Sequence, residues 1–300
     1  MNRPSTLTDS SAQWISMRGT RKDQGLYLQF AKRFDWKGEG NVSLEISAVS
    51  EYHVWVNGIF IGRGPAVGSA QLSFYHTYTI ATSILKQGEN LLAVLLFHDG
   101  RTTKTTQGFQ YGDPGLIARV VGAKEACVTD NSWRVRRAPE YSRVPSMVSK
   151  WGGYKEFYHG EKADDWREAS FNHRSWRKAT VVALPQSPDF IHRLLPVGVP
   201  ELESKRVEPK KVVEVSHSLG KVGITGSETE DFPAKYSGET LVFDLGAAGF
   251  CPSATLDFGN VFVGYPEIAL RHKGRCLIEL WYGETLDLWR LDVLSSEGGL

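Results

Sequence analysis

Residues 51–97 constrain the fold more than any other stretch of the chain. In Tyr52-His53-Val54-Trp55-Val56-Asn57-Gly58-Ile59-Phe60-Ile61-Gly62, β-branched and aromatic residues flank an Asn-Gly pair. A two-residue type I′ turn needs positive φ at both central positions, and Asn and Gly adopt it at least cost. The run therefore predicts a hairpin. Residues 74–80 predict a further strand, and residues 82–87 a short helical turn ended by Gly88 as its C-terminal cap. Asn90 leads into Leu91-Leu92-Ala93-Val94-Leu95-Leu96-Phe97, a buried strand by its length and unbroken apolar character. This succession is expected of an antiparallel β-sandwich.

Upstream, residues 26–34 and 42–48 alternate with period two, placing Val42, Leu44 and Ile46 on one face. Downstream, residues 98–106 read as a polar loop and 115–121 as strand. Residues 126–128 are expected to pair with 133–135 across Thr129-Asp130-Asn131-Ser132, completing the first domain by Pro139. The chain divides into a β-sandwich over 1–145, an aromatic and Gly-rich segment wrapped on it over 146–195, and a Pro-rich linker over 196–211. A second sandwich over 212–300 has strands expected at 212–215, 240–244, 254–258, 267–271 and 276–282, too few to close. No long 3.6-period amphipathic segment encodes a helical barrel or bundle.

Composition narrows the function. Lys plus Arg is 35 against 34 for Asp plus Glu, so charge gives no reason to expect a nucleic-acid partner or an anionic membrane. The basic cluster Arg134-Val135-Arg136-Arg137 alternates and is read as the solvated face of a strand. Cys127, Cys251 and Cys276 lie far apart with no CxxC spacing, which argues against a disulfide framework or a zinc site and suits a reducing compartment. The N-terminus lacks a signal-peptide apolar core, and no run approaches the ~20 apolar residues of a spanning helix. A cytoplasmic protein is expected.

The order of motifs resembles the N-terminal jelly roll of bacterial α-L-rhamnosidases. Trp14-Ile15, the Val54–Gly62 hairpin residues, Tyr78 and Leu85-Lys86-Gln87-Gly88-Glu89-Asn90-Leu91 carry the likeness. Thr129-Asp130-Asn131-Ser132-Trp133 is similar to that domain's closing "TD-x-SW" strand. Tyr158, Trp166, Phe171 and Trp176 follow its "YDAR…W…FDDSxW" passage, although His159-Gly160-Glu161-Lys162 replaces "DAR". Val242-Phe243-Asp244-Leu245-Gly246, Val263-Gly264-Tyr265-Pro266 and Tyr282-Gly283-Glu284-Thr285-Leu286 resemble the next sandwich. The implied fold is all-β, a jelly-roll (galactose-binding-like) β-sandwich followed by a second, incomplete one. In that family two carboxylates on a later (α/α) barrel hydrolyse terminal α-L-rhamnosides with inversion. That barrel's acidic motif has no counterpart here, so a truncated, non-catalytic portion is expected, whose partners would be the missing C-terminal barrel and rhamnose-containing glycosides.

Candidate contacts to carbohydrate are Trp151, Tyr154, Phe157, Tyr158 and Trp166, whose rings could stack on pyranose faces or pack as core. Glu284, at a strand end, is a further candidate. No catalytic residue is assigned: Asp164-Asp165 and Glu228-Thr229-Glu230-Asp231 read as solvated loop acids, with nothing to split their pKa values. No cofactor is expected; were a metal to bind, calcium at the loop oxygens of Asp99, Asp113 and Asp130 is the candidate. The competing reading is a stand-alone carbohydrate-binding or protein-interaction module. A stand-alone protein should not leave long apolar strand edges bare, so an unclosed second sandwich separates the two.

Overall fold

The computed structural model describes residues 6–69, 72–100, 113–125, 127–143, 146–149, 153–187, 190, 193–200, 203–219, 234–236, 241–243, 250–269, 271, 276–287 and 290–292. They fall into two compact units, residues 1–200 and 201–300.

The first unit opens with β1 (Trp14–Ser16), β2 (Leu26–Trp36), β3 (Val42–Ala48) and β4 (Glu51–Val56). β5 (Ile59–Gly64), β6 (Leu72–Ile80), β7 (Gly88–His98) and β8 (Leu116–Val121) follow. Then come β9 (Cys127–Val128), β10 (Arg134–Arg137), β11 (Met147–Ser149) and β12 (Gly153–Tyr154). β13 (Arg177–Lys178), β14 (Thr180–Ala183) and β15 (Arg193–Pro196) end it. One sheet runs β14-β1-β8-β3-β6-β15 with β9 beside β8; the other runs β13-β10-β2-β7-β4-β5. All these pairs are antiparallel except β15 with β6.

The Asn57-Gly58 turn forms as its residues require, with φ of 51° and 83°. Asn57 also ties the hairpin to β7: its amide donates to the Ile84 carbonyl and to Asn90 Oδ1 (both 2.8 Å), while its Oδ1 accepts from the Leu91 N–H (2.9 Å). The helical turn is one 3-10 turn, Thr82–Ile84, and Gly88 (φ 91°) starts β7 rather than capping a helix. Asn90 does the capping: it accepts from the Lys86 N–H and donates to the Lys86 and Gly88 carbonyls. Gly62 and Gly64 are packing glycines, since a Cβ on either would strike the Tyr78 or Tyr52 ring.

β7 is buried on both faces. Leu92, Val94 and Leu96 meet Leu28, Phe30, Leu44 and Ile46 between the sheets, whereas Leu91 and Ala93 join a second cluster with Trp55, Trp166 and Trp176 on the outer face. A third cluster around Trp14, Tyr75 and Leu194 covers the other sheet's outer face. In the β3–β8 ladder Glu45 stands opposite Arg119, and the guanidinium donates to both carboxylate oxygens at 2.6 and 3.1 Å.

Three further expectations for the first unit need correction. β9 pairs with β8, and β10 with β2 and β13, so 127–128 and 134–135 are not a hairpin. The chain crosses between sheets there: fully buried Trp133 donates from Nε1 to the Val128 carbonyl (2.8 Å), and Thr129 holds the Ala118 N–H through its hydroxyl. The first domain does not end at Pro139, because residues 177–196 add β13, β14 and β15 to its sheets. The arginines of β10 are not freely solvated: Arg136 binds Gln29 Oε1 and Asp164 Oδ1 (both 2.6 Å), Arg137 pairs with Asp23, and Arg134 donates to the Trp176 carbonyl.

In the second unit β16 (Lys211–Leu219) pairs with a later strand, Phe250–Asp257. Two smaller antiparallel pairs join Ala234–Tyr236 to Leu241–Phe243 and Thr285–Asp287 to Arg290–Asp292. The strand pair expected at 267–271 and 276–282 is not formed among the described residues. Its apolar side chains, Ile268, Leu277 and Trp281 among them, are exposed, and a strand stabilised by burial of one face does not form without it.

His98, at the end of β7, is almost wholly buried, with Nδ1 3.4 Å from the Ser50 hydroxyl. Burial pushes its pKa down to about 4, against the pull of Asp99 and, more weakly, Asp113 and Asp23. An unfolded histidine titrates near ~6.5, so between those values the unfolded chain binds the extra proton and stability falls as pH falls. The cost is on the order of 3 kcal/mol by the ~1.36 kcal/mol per pH unit of linkage. Burial raises Glu51 and Glu140, which act in the opposite sense. We expect urea stability of His98→Gln to fall less steeply than the parent's from pH 6.5 to 4.5; parallel curves would contradict the assignment.

Candidate functional site

Two regions of the first unit gather chemistry-bearing side chains. The first is an aromatic face built by Tyr141, Ser142 and residues 153–158 against β2. Here the chain doubles back: Tyr141 bridges Tyr158, β11 pairs with β12, and the Ser142 and Lys155 N–H groups donate to the Phe157 and Ser146 carbonyls. The Tyr141 ring stacks on Tyr27 (centroids 3.8 Å, interplanar angle 9°), and Tyr158 meets Tyr141 edge-on at 5.3 Å. The Tyr27 hydroxyl donates to Glu156 Oε2 (3.1 Å) and the Tyr154 hydroxyl to Gln24 Oε1 (3.0 Å). Burial, then the Glu156 carboxylate, push the Tyr27 and Tyr141 hydroxyls upward, so both stay neutral donors.

Behind this face Glu140 is 5% exposed, accepts from the Gln29 amide at Oε1 (2.6 Å), and leaves Oε2 without a partner among the described residues. Burial raises its pKa.

The second region is a cleft of about 540 Å³ between the outer face of β2, β7 and β10 and residues 170–174. Ala31, Leu91 and Phe171 supply the apolar part of its lining, while Lys32, Arg33, Arg134 and Arg174 make the rest strongly cationic. Asn172 caps the 3-10 turn His173–Ser175 by accepting from the Arg174 N–H (3.0 Å). His173 is buried beneath, its Nε2 2.8 Å from the Trp166 carbonyl oxygen, and burial lowers its pKa. The neutral ring with Nε2–H as donor fits this site, leaving Nδ1 without a partner among the described residues.

The structure sorts the candidates named from sequence. Phe157 and Tyr158 are exposed together on the aromatic face, and Tyr154 is half-buried on the same doubled-back segment. Trp166 is not there. It is 3% exposed and packs at 5.8 Å from Trp55 and 6.2 Å from Trp176, which leaves no ring face for a sugar. Trp151 lies outside the described residues, as do Glu228, Glu230 and Asp231. Glu284 is exposed in the second unit. Asp164 is held by Arg136.

The loop acids considered for calcium have other partners: Asp113 accepts from Arg21, and Asp130 from the Ser132 N–H (2.8 Å). Among the described residues no three His, Cys, Asp or Glu side chains converge on a metal position. Cys127 is an unpaired, buried thiol that burial pushes up to about 12, too high for a nucleophile. Sequence patterning gave no signal for the cleft, because its lining comes from three non-consecutive strands and two connecting segments. The alternation at Arg134-Val135-Arg136-Arg137 reads as the solvated face of a strand.

A family model described as "Alpha-L-rhamnosidase N-terminal domain" matches residues 40–199, just over half the chain. This chain belongs to that family. As a rhamnosidase N-terminal domain, it is similar to the crystal structure of the GH78 family rhamnosidase of Bacillus sp. GL1. The two are 27% identical with a TM-score of 0.60, over 69% of this chain and 22% of that one. The α-L-rhamnosidase from Aspergillus terreus is 25% identical with a TM-score of 0.53, over 69% and 24% of the two chains. The α-L-rhamnosidase from Dictyoglumus thermophilum shares the fold at 19% identity and a TM-score of 0.52, over 69% and 25%. This chain thus spans about a quarter of each of these solved rhamnosidases. No curated protein matches it significantly.

The two aromatic roles separate by mutation. Trp166→Ala is expected to lower unfolding free energy by about 3–5 kcal/mol, as for a buried large ring, and Tyr158→Ala by less than about 1 kcal/mol. Equal losses in urea titrations would contradict this division into core and surface rings.

Proposed function

We propose that the chain is the non-catalytic N-terminal region of an α-L-rhamnosidase-like glycoside hydrolase, supporting a catalytic domain and touching carbohydrate through Phe157 and Tyr158. The observation that carries this reading is the family match over 40–199 on a fold whose buried surfaces are packed β-sandwich core. Hydrolysis with inversion needs an acid and a base facing each other across ~6.5–9.5 Å with water between. Among the described residues the cleft of the first unit holds a single carboxylate, Glu89, among cations, which is unsuited to that pairing. The reactive acids belong elsewhere in such an enzyme, as the family's later barrel implies.

The carbohydrate role rests on Tyr158. It presents an exposed ring held edge-on by Tyr141, and Tyr141 is fixed by its stack on Tyr27, so the platform is preorganised. The isolated chain is expected to release no aglycone from an aryl α-L-rhamnoside above the uncatalysed rate. It should also bind rhamnose-containing oligosaccharides more weakly once Tyr158 is changed to Ala. Steady aglycone release that co-purifies with the chain would overturn the non-catalytic reading, and unchanged oligosaccharide binding would overturn the assignment of Tyr158.

A further inference from the structure

The cleft beside residues 170–174 is given no ligand by the reading above and shares no residue with the aromatic face. Its volume, about 540 Å³, lies within the ~300–1,000 Å³ of small-molecule sites. Its four cations face one carboxylate, in a protein whose total charge is only +1.

These cations are not equivalent. Arg33 is committed to the wall: it donates to Glu89 and to the carbonyls of Ala169 (2.8 Å) and Phe171 (2.9 Å). Arg134 likewise donates to the Trp176 carbonyl (3.2 Å). The Lys32 ammonium, by contrast, meets only the Ser132 hydroxyl among the described residues, and reaches the Asp130 carboxylate only through it. The Arg174 guanidinium meets no partner there; only its main-chain N–H is held, by Asn172. Two cations that bind no carboxylate directly among the described residues, in one concavity, raise the local concentration of anions.

The remaining lining decides which anion. Ser170 offers a hydroxyl, the Asn172 amide nitrogen is left to donate, Glu89 can accept, and Phe171 adds a ring; the Ser132 hydroxyl is already taken, accepting from Lys32 and donating to Asp130. A bare inorganic anion would use the cations alone. A sugar bearing a carboxylate uses both sets, with the carboxylate against Lys32 and the Arg174 fork and the ring hydroxyls against the neutral groups.

We propose that this cleft binds a carboxylated pyranose, the uronic acid residue of an acidic saccharide. The inference goes beyond the rhamnosidase reading, since it concerns neither hydrolysis nor Tyr158. Isothermal titration of the full chain at low ionic strength tests it, with methyl glucuronide, the isosteric methyl glucoside and inorganic phosphate as probes. Methyl glucuronide is expected to bind at least about tenfold more tightly than either of the others, the weight of a hydrogen bond to a charged group. Lys32→Met and Arg174→Gln, which keep much of each side chain's bulk, should each weaken it about tenfold. Equal affinity for glucuronide and glucoside would overturn the proposal, as would phosphate binding as tightly as glucuronide. So would indifference to both cation substitutions in variants whose near-ultraviolet circular dichroism matches the parent.

Discussion

The outer face of the six-stranded sheet has to be covered, and much else in the first unit follows from how that is done. β7 carries apolar residues on both faces, so a sandwich with one sheet face open to water would leave Leu91 and Ala93 exposed. Trp166 and Trp176 close it, with Trp55 beneath. Each indole buries ~150–250 Å², a gross stabilisation of roughly 4–6 kcal/mol at ~25 cal/mol per Å², which is an upper bound because the unfolded chain already buries part of that area. Guanidinium groups then fix the cover in place. Arg33 and Arg134 reach its carbonyls, and Arg136 lies 4.3 Å from the Trp176 ring centroid while bonding Asp164. The same cover ends in the 170–174 segment that makes the sheet surface into a cleft. Architecture and site are one construction.

Much of the sandwich was legible because its signals are local. Asn57-Gly58 dictates a turn, two-residue alternation dictates β3, and an unbroken apolar run dictates a strand buried on both sides. What failed was long-range pairing. Cys127-Val128 and Trp133-Arg134-Val135 are close enough in sequence to suggest a hairpin, yet Trp133 is large enough to fill the gap between sheets and sends the chain across. β13 and β15 are short segments whose partners lie more than 40 and 100 residues away, so no window of sequence shows them.

Site residues were less legible, for a related reason. Trp166 and Tyr158 both sit in an aromatic, polar-interrupted stretch, and nothing in local pattern says which ring finds a hydrophobic wall. Trp166 met Trp55 and Trp176, whereas Tyr158 met one ring edge and kept its face. Arginines at alternating positions read as solvated because sequence cannot show that a loop lies over them. Once it does, those at 33, 134 and 136 become structural, and the charge at Lys32 and Arg174 is left facing the cleft.

Hydrogen–deuterium exchange read at single amides tests most directly whether the cover is part of the sandwich. The N–H groups of Phe171, Trp176 and Ala179 donate to the Glu168, His173 and Trp133 carbonyls, and those of β2 donate across the central ladder to β7. If the cover is built into the fold, Trp176 and Ala179 exchange with protection approaching that of β2 and lose it in the same denaturant range. Exchange of these two amides orders of magnitude faster than β2, unaffected by Trp55→Ala, would show a loosely laid strap, and the cleft it frames would have no fixed wall.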